Sequence, residues 1–512
     1  MPKTRNSLLK EGIDVNKFSE AEWFSFKKKE SFDGSNFNFL NIKKEFNNNI
    51  WTQNIDNHLW NYNLHYLDFL NDIDTFNKKD IVLSWMRHTT YARGTAYEPY
   101  PTSLRLVNLI KWNISKKEQD SEINKNIFLQ SRWLYKNLEW HLLANHLFSN
   151  LKALAFSGYL YNNKESKNWL SFAKINIKKQ LQKQILDDGG HYEKSPMYHN
   201  IILHDLLDLY HINRISKCNY DSNFEFLLVK FIKKMLHWSL VLSHEDKCIA
   251  FFNDSSFGVG PESHELQKYA LSFMEPIVHS QEEVNFFKES GYIKVKKMIW
   301  SAILDVGDIG LNFNPGHAHA DSLSFELSVN SDRLFVNSGT SVYGNSSLRL
   351  FQRSTVAHNT VEVNSKNSSD VWNAFRVASR AKNLGTEILK EQNSLTISSS
   401  HDGYNNFFSK NIHKREWVFF NKKIILNDEI SGKNTLSISR LYLHPKVVIK
   451  EISHEGIKVK LPSNNVVYIE IIDSEFSIKD SEYFNEFGRS LKNKCIQIKL
   501  KRNQSSISVS ML

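Results

Sequence analysis

NPGHAHADSLSFELSVNSDRLFVNSGTSVYGNSSLRLFQRSTVAHNTVEVN, residues 314–364, is the stretch on which the fold turns. It opens with His317, His319 and Asp321 at alternate positions, where the pattern passes into strand. Alternate residues of a strand point to one face. Ser322 to Val329 alternates polar and apolar residues, Arg333 to Val336 reads as a second strand, and Thr360 to Val363 as a third, with His358 just ahead of it. If the three strands are neighbours, His317, His319 and His358 converge at one end of a sheet. Imidazoles carry protons and bind zinc, so the cluster has a chemical reading beside the plain one of strand-end polar residues satisfied by backbone.

Outward from this stretch the chain divides in character. From Met298 to Val306 and on through Leu395 to Ser398, Trp417 to Phe420 and Lys423 to Leu426 as far as Ile507, short strand patterns are separated by turn residues. Between Trp51 and Gln281 apolar residues instead recur at three and four. Trp60 to Leu70, Leu104 to Trp112, Trp133 to Tyr161 and Ile201 to Ile215 read as helices, and Tyr91 to Ser103 as an aromatic loop between two of them. A run of helices followed by a run of strands predicts two domains, the first all-α and the second antiparallel β. The expected layout is an N-terminal extension over residues 1–50, a helical domain over 51–281 and a β domain over 282–512.

At 512 residues the chain is too long for one core. Its 41% hydrophobic and 23% charged residues fit a globular protein, and a formal net charge of +10 favours an anionic partner. The basic residues are dispersed, so no nucleic-acid-binding arm is visible. Aromatics at 13% suit sugar rings as well as packing. Cys218, Cys248 and Cys495 lie far apart without CxxC spacing and read as buried free thiols. The N-terminal residues lack the apolar core of a signal peptide and no apolar run reaches membrane-span length. The expected location is therefore the cytoplasm, with the periplasm or cell envelope as the alternative.

Two constellations stand out in the helical half. On a helix covering Glu139 to Tyr161, His141, Asn145, Ser149 and Lys152 share a face, with His146 and Asn150 on the adjoining stripe. That face reads either as solvated surface or as cavity lining. In ILDDGGHYEKSPMYHN, Asp187 to Gly190 make a turn, and Ser195 with Pro196 starts the next helix. Tyr198 and His199 then sit in a first helical turn, where the N-terminal field lowers the free energy of a phenolate. The plain reading of Tyr198 is a packed ring with its hydroxyl bonded, and of Glu193 a pairing with Lys194 or a nearby histidine.

NHLFSN with DGGHYEKSPMYH, then HAHADSLSFEL, FVNSGT and QRSTVAHNTVEV, resembles the bacterial heparinase II/III family of polysaccharide lyases. The resemblance runs by motif from about Trp60 to Asn364. It implies an incomplete (α/α) toroid followed by an antiparallel β-sandwich, with the active site between the two domains. It further implies cleavage of a uronate-containing acidic polysaccharide by β-elimination, Asn145 and His146 binding the uronate carboxylate, and Tyr198 and His317 handling the protons. His199, Arg353 and Lys152 are then candidates for binding substrate and for helping Tyr198. In some members a zinc is held by the second His of HxH, an Asp on the next strand and the His of AHN. Those positions here are His319, Asn337 and His358. A neutral amide is a poor zinc ligand, so weak or no zinc is expected, with Asp321 as a compensating ligand or as a partner fixing a histidine tautomer.

Two other functions compete. A glycoside hydrolase would use Asp187, Asp188 and Glu193 as acid and base, and a non-catalytic or biosynthetic protein would bind an acidic glycan during surface-polymer assembly.

Overall fold

The computed structural model describes residues 13–19, 22–26, 29–53, 57–71, 76–116, 120–276, 282–311, 315–405, 410–432 and 436–512. The first twelve residues of the expected N-terminal extension and position 281 at the expected domain boundary lie outside these. The chain forms two compact units, and the division is not contiguous. One unit comprises Met1–Ile185, Ile201–Lys233 and Lys268–Met274, and the other Leu186–Asn200, Lys234–Gln267 and Glu275–Leu512. Two segments that read as helical-domain sequence therefore belong to the β unit, because their polar groups are satisfied there. Asp188, for example, accepts hydrogen bonds from Ser290 N at 2.7 Å and Ser290 Oγ at 2.9 Å.

The helical unit is built on His58–Tyr66, Lys78–His88, Pro99–Ile114, Ser121–Lys136, Ala144–Leu160 and Lys164–Gln184, with parts of later helices. Ala144–Leu160 is buried at every position but the half-buried His146, and at Gly158 an added Cβ would stand 2.6 Å from the Leu170 Cβ of the next helix. That approach needs the missing side chain. The expected helix Trp133 to Tyr161 is broken, since Ser121–Lys136 ends at Asn137 and the next helix starts only at Ala144. The expected loop Tyr91 to Ser103 ends early because Pro99 opens a helix, a position where a missing N–H is harmless. Within residues 1–50 a hairpin of Asn36–Phe39 and Ile42–Glu45 adds Phe32, Phe37 and Phe39 to a buried aromatic cluster with Trp51, Trp60 and Phe69.

The expected face of His141, Asn145, Ser149 and Lys152, open between solvated surface and cavity lining, ends in a buried ion cluster at Lys152. Lys152 donates to Asp205 at 2.7 Å and to Asp208 at 2.5 Å, and Lys111 reaches the same Asp208 at 2.7 and 2.6 Å. Tyr269 Oη also donates to Asp208 at 3.1 Å.

The β unit stacks two antiparallel sheets. Among the described residues one has eight strands, from Asn383–Lys390 at one edge to Val448–Ile452 at the other, and the second has nine, including Phe325–Val329, Asp332–Phe335, Ser437–Leu443 and Val361–Val363. Alternation delivers one face of each to a shared core: Leu395–His401 and Lys423–Ile430 bury every second residue. Ile397, Trp417 and Leu426 of the first sheet belong to one apolar cluster with Trp300, Phe325 and Leu441 of the second. Val361–Val363 and Asp332–Phe335 pair with the same edge of Ser437–Leu443, the first at Ser437–Ser439 and the second at Leu443, so they lie end to end rather than side by side. HAHAD itself is loop, since the strand starts only at Phe325. The three cysteines are free thiols, but only Cys495 is buried as expected, Cys248 being half-buried and Cys218 exposed. Among the described residues no helix is long and apolar enough to cross a membrane.

Lys152→Ala leaves Asp205 and Asp208 buried with one cation fewer. We expect a loss of about 3–5 kcal/mol from the helical unit, measured as a lower urea midpoint by circular dichroism.

Candidate active site

Tyr198 and His317 meet in the β unit. Ser195 accepts the Tyr198 backbone N–H at 3.2 Å on its Oγ, and Pro196 opens the helix Pro196–Ile215, so Tyr198 stands in the first turn. Gly189 makes the preceding turn at φ +93°, where an added Cβ would lie 2.5 Å from Lys234 O. The Tyr198 ring stacks on the His317 imidazole with centroids 4.0 Å apart and planes 10° apart. Its hydroxyl lies 2.9 Å from the Tyr343 hydroxyl. His317 Nδ1 donates to Glu193 Oε1 at 3.0 Å. Burial alone would lower the His317 pKa, but the Glu193 carboxylate outweighs it and raises the value above the ordinary 6.5. With Nδ1 so held, Nε2 is the nitrogen left to exchange a proton.

His319 faces a different set, because the HAHAD loop does not alternate as a strand would. Its Nε2 donates to Asp254 at 2.8 Å, and its Nδ1 lies 3.3 Å from His358 Nε2. Arg349 clamps Asp254 with both terminal nitrogens, Nη2 at 2.7 Å, and all four side chains are buried. Burial works against the Asp254 charge, yet Arg349 and His319 hold its carboxyl well below the usual range, while burial pushes His319 down to about 4. Two neutral imidazoles remain as donors at the zinc positions. The third position does not add one: Asn337 Oδ1 accepts the Asn359 N–H at 3.1 Å. Asp321 lies elsewhere, facing Asp305 and accepting from Asn253 N at 3.4 Å. Among the described residues no group of three or more His, Cys, Asp or Glu side chains is arranged to hold a metal ion. The three expected positions thus offer two histidines and an amide held by backbone.

In the helical unit Asn145 and His146 lie at the start of Ala144–Leu160. Leu143 and Ala144 lead in at φ 57° and 48°, a left-handed conformation unusual for side-chain-bearing residues. Such strain is held by its surroundings and collects at functional sites. Here Glu139 supplies the hold. Its backbone N–H donates to Asn150 Oδ1 at 2.8 Å, and its carboxylate accepts from Asn150 Nδ2 and from His146 Nδ1, each at 3.1 Å. The His146 ring packs tilted by 31° against Tyr100 at 4.4 Å, and Asn145 Nδ2 points to the Tyr100 hydroxyl at 3.5 Å, a weak bond that leaves the amide available.

The remaining candidates have structural work. Lys152 is consumed by Asp205 and Asp208. His199 is fully buried: its Nε2 donates to Met235 O at 2.9 Å, its Nδ1 accepts from His191 N at 3.2 Å, its ring stacks on Trp238, and burial lowers its pKa to about 3. Arg353 donates to Ala318 O, the residue between the two histidines, at 3.1 and 2.9 Å, so it shapes the loop. His141 precedes the helix and is exposed. Asp188 is bound by Ser290, and the Asp187 side chain is 98% exposed. Of the three carboxylates of the hydrolase reading, Glu193 is the one beside the Tyr198–His317 pair. Glu193 was legible as a histidine partner. Tyr343, Asp254 and Arg349 were not, since a lone residue in a loop or short helix carries no periodicity.

Comparison with known proteins agrees with the motifs. The family described as "Heparinase II/III-like, C-terminal" matches residues 279–510 and "Heparinase II/III N-terminus" matches residues 110–275. A heparin-sulfate lyase of Bacteroides stercoris is 24% identical over 333 residues, 59% of this chain and 46% of the relative. One from Bacteroides thetaiotaomicron is 23% identical over 371 residues, 64% of this chain and 50% of the relative. The chain thus spans about half the length of these curated relatives. Among solved structures, heparinase III superposes with a TM-score of 0.71 at 17% identity, over 90% of this chain and 79% of that one. A heparan sulfate lyase mutant of Pedobacter heparinus gives 0.64 at 16% identity, over 90% and 78%. These likenesses establish the expected fold class, an incomplete (α/α) toroid and an antiparallel β-sandwich. With both halves matched in order, the chain belongs to the heparinase II/III family.

Proposed function

We propose that this chain is a polysaccharide lyase that cleaves a uronate-containing acidic polysaccharide by β-elimination. The observation that carries the reading is the Tyr198–His317 stack with Glu193 on the far imidazole nitrogen. The family's lyases and the net charge of +10 support an acidic glycan.

The reaction removes the proton α to the uronate carboxylate, forms a carbon–carbon double bond and expels the glycosidic oxygen. An ionised carboxylate makes that proton a very weak acid, so donors must take up the charge that develops. The family's motif assigns this to Asn145 and His146 of the helical unit, and Asn145 stands at a helix N-terminus with its amide only weakly bonded. His317, oriented through Nδ1, takes the proton on Nε2. The Tyr198 phenol protonates the leaving oxygen, and Tyr343 steadies the phenol. Replacing Tyr198 with Phe removes the acid without changing shape. We expect kcat to fall by about 10²–10⁴ with the fold intact, measured by the absorbance of the unsaturated uronate product across a panel of acidic glycans. Binding without any rise in absorbance from the unaltered protein would instead support the glycan-binding role.

A base works in its neutral form, so kcat/KM should climb as pH rises through the raised pKa of His317. Glu193→Gln removes the interaction that raises it, so the climbing limb should move to lower pH and its plateau should drop. A limb that stays in place would mean that His317 is not the base.

We further propose that the reaction proceeds without a bound zinc, because Asn337 is spent on backbone and Arg349 neutralises Asp254. Chelation should leave the unfolding midpoint and the elimination rate unchanged. Stoichiometric zinc surviving dialysis would overturn this.

A further inference from the structure

Residues 371–377, VWNAFRV, form a short hairpin in which Val371–Trp372 pairs with Arg376–Val377 and Trp372 lies directly opposite Arg376. Directly opposed residues of an antiparallel pair share a face. The backbone of this hairpin is anchored from beneath. Arg349 Nε donates to Ala374 O at 3.0 Å, Arg353 Nη1 donates to Asn373 O at 3.0 Å, and the Ala374 N–H donates to Asn345 Oδ1 at 3.0 Å. Both arginines are completely buried. What they hold up is apolar and in solvent: Trp372 is 53% exposed and Phe375 40%.

Single exposed aromatics are ordinary. Two on one seven-residue hairpin, set on buried guanidinium groups that also serve the active site, are not accounted for by solubility. The hairpin also adjoins the reacting groups. The Phe375 ring is 5.4 Å from Tyr343 and 6.3 Å from His317, and the Arg349 guanidinium sits 5.3 Å from Phe375 and 5.0 Å from Tyr343.

We propose that this hairpin is a sugar subsite that takes one charged pyranose of the polymer next to the sugar that reacts. The apolar face of the ring packs on Trp372, and its carboxylate or sulfate meets Arg376. The subsite rests on the lyase reading, since it assigns a binding surface to the same substrate. It would set affinity and choice of glycan without entering the proton transfers. An indole offers a flat apolar face, and a guanidinium matches a carboxylate or sulfate through paired donors.

The test uses the full chain with hexasaccharides prepared from heparan sulfate and from alginate. Binding is titrated by calorimetry in the Tyr198→Phe background, and turnover is followed in the otherwise unaltered enzyme. Trp372→Ala and Arg376→Gln should each weaken binding about three- to tenfold and raise KM by the same factor, with kcat within about twofold and an unchanged unfolding midpoint. Unchanged binding and KM in both variants would overturn the subsite, as would a fall in kcat alone. If no hexasaccharide is cleaved but Trp372→Ala still weakens binding, the lyase reading fails and the hairpin stands as a glycan-binding surface alone. If neither probe binds the unaltered protein, both fall.

Discussion

Asp254 is the group on which the β unit's functional geometry depends. Its carboxylate is buried between Arg349 and His319, its backbone N–H donates to His317 O at 3.0 Å, and its carbonyl accepts from Ser195 Oγ at 2.6 Å. One residue therefore ties together the helix start that presents Tyr198, the loop that presents His317, and the arginine beneath the Trp372 hairpin. A buried carboxylate stripped of its cation is strongly unfavourable, so these segments are stable only in mutual register. The stacking of Tyr198 on His317 follows from that register.

The charge that balances Asp254 is the Arg349 guanidinium, and the Asn337 amide is engaged with backbone. Arg349 is planar and has donors to spare, so it neutralises the carboxylate and also reaches Ala374 O. The helical unit reaches its geometry differently. There, two left-handed residues and the Glu139–Asn150 bonds turn the chain sharply into the helix that carries Asn145. The strain is local, and Glu139 holds it from both backbone and side chain.

Much of this was legible in the residues themselves. Period 3.6 before residue 281 and period 2 after it separate helices from strands, because each face must match the element it packs against. Ser195-Pro196 marked the helix start that presents Tyr198, since a side-chain acceptor followed by a residue with no N–H satisfies a helix N-terminus. The motifs around Asn145, Tyr198, His317 and His358 were sufficient to recognise the family. Tertiary structure decided which residues those motifs serve. Lys152 and Arg353 look alike in sequence, as cations beside candidate active-site residues, yet one lies in a buried ion cluster and the other caps a loop carbonyl. His317 and His319 alternate as strand residues would, but the loop turns them to different partners. Such pairings link residues as far apart as Glu193 and His317 or Asp254 and Arg349, and local periodicity carries no information about contacts at that separation. The sequence by itself determined the elements and the chemistry available, and only the long-range burial of charge decided which side chains stand together.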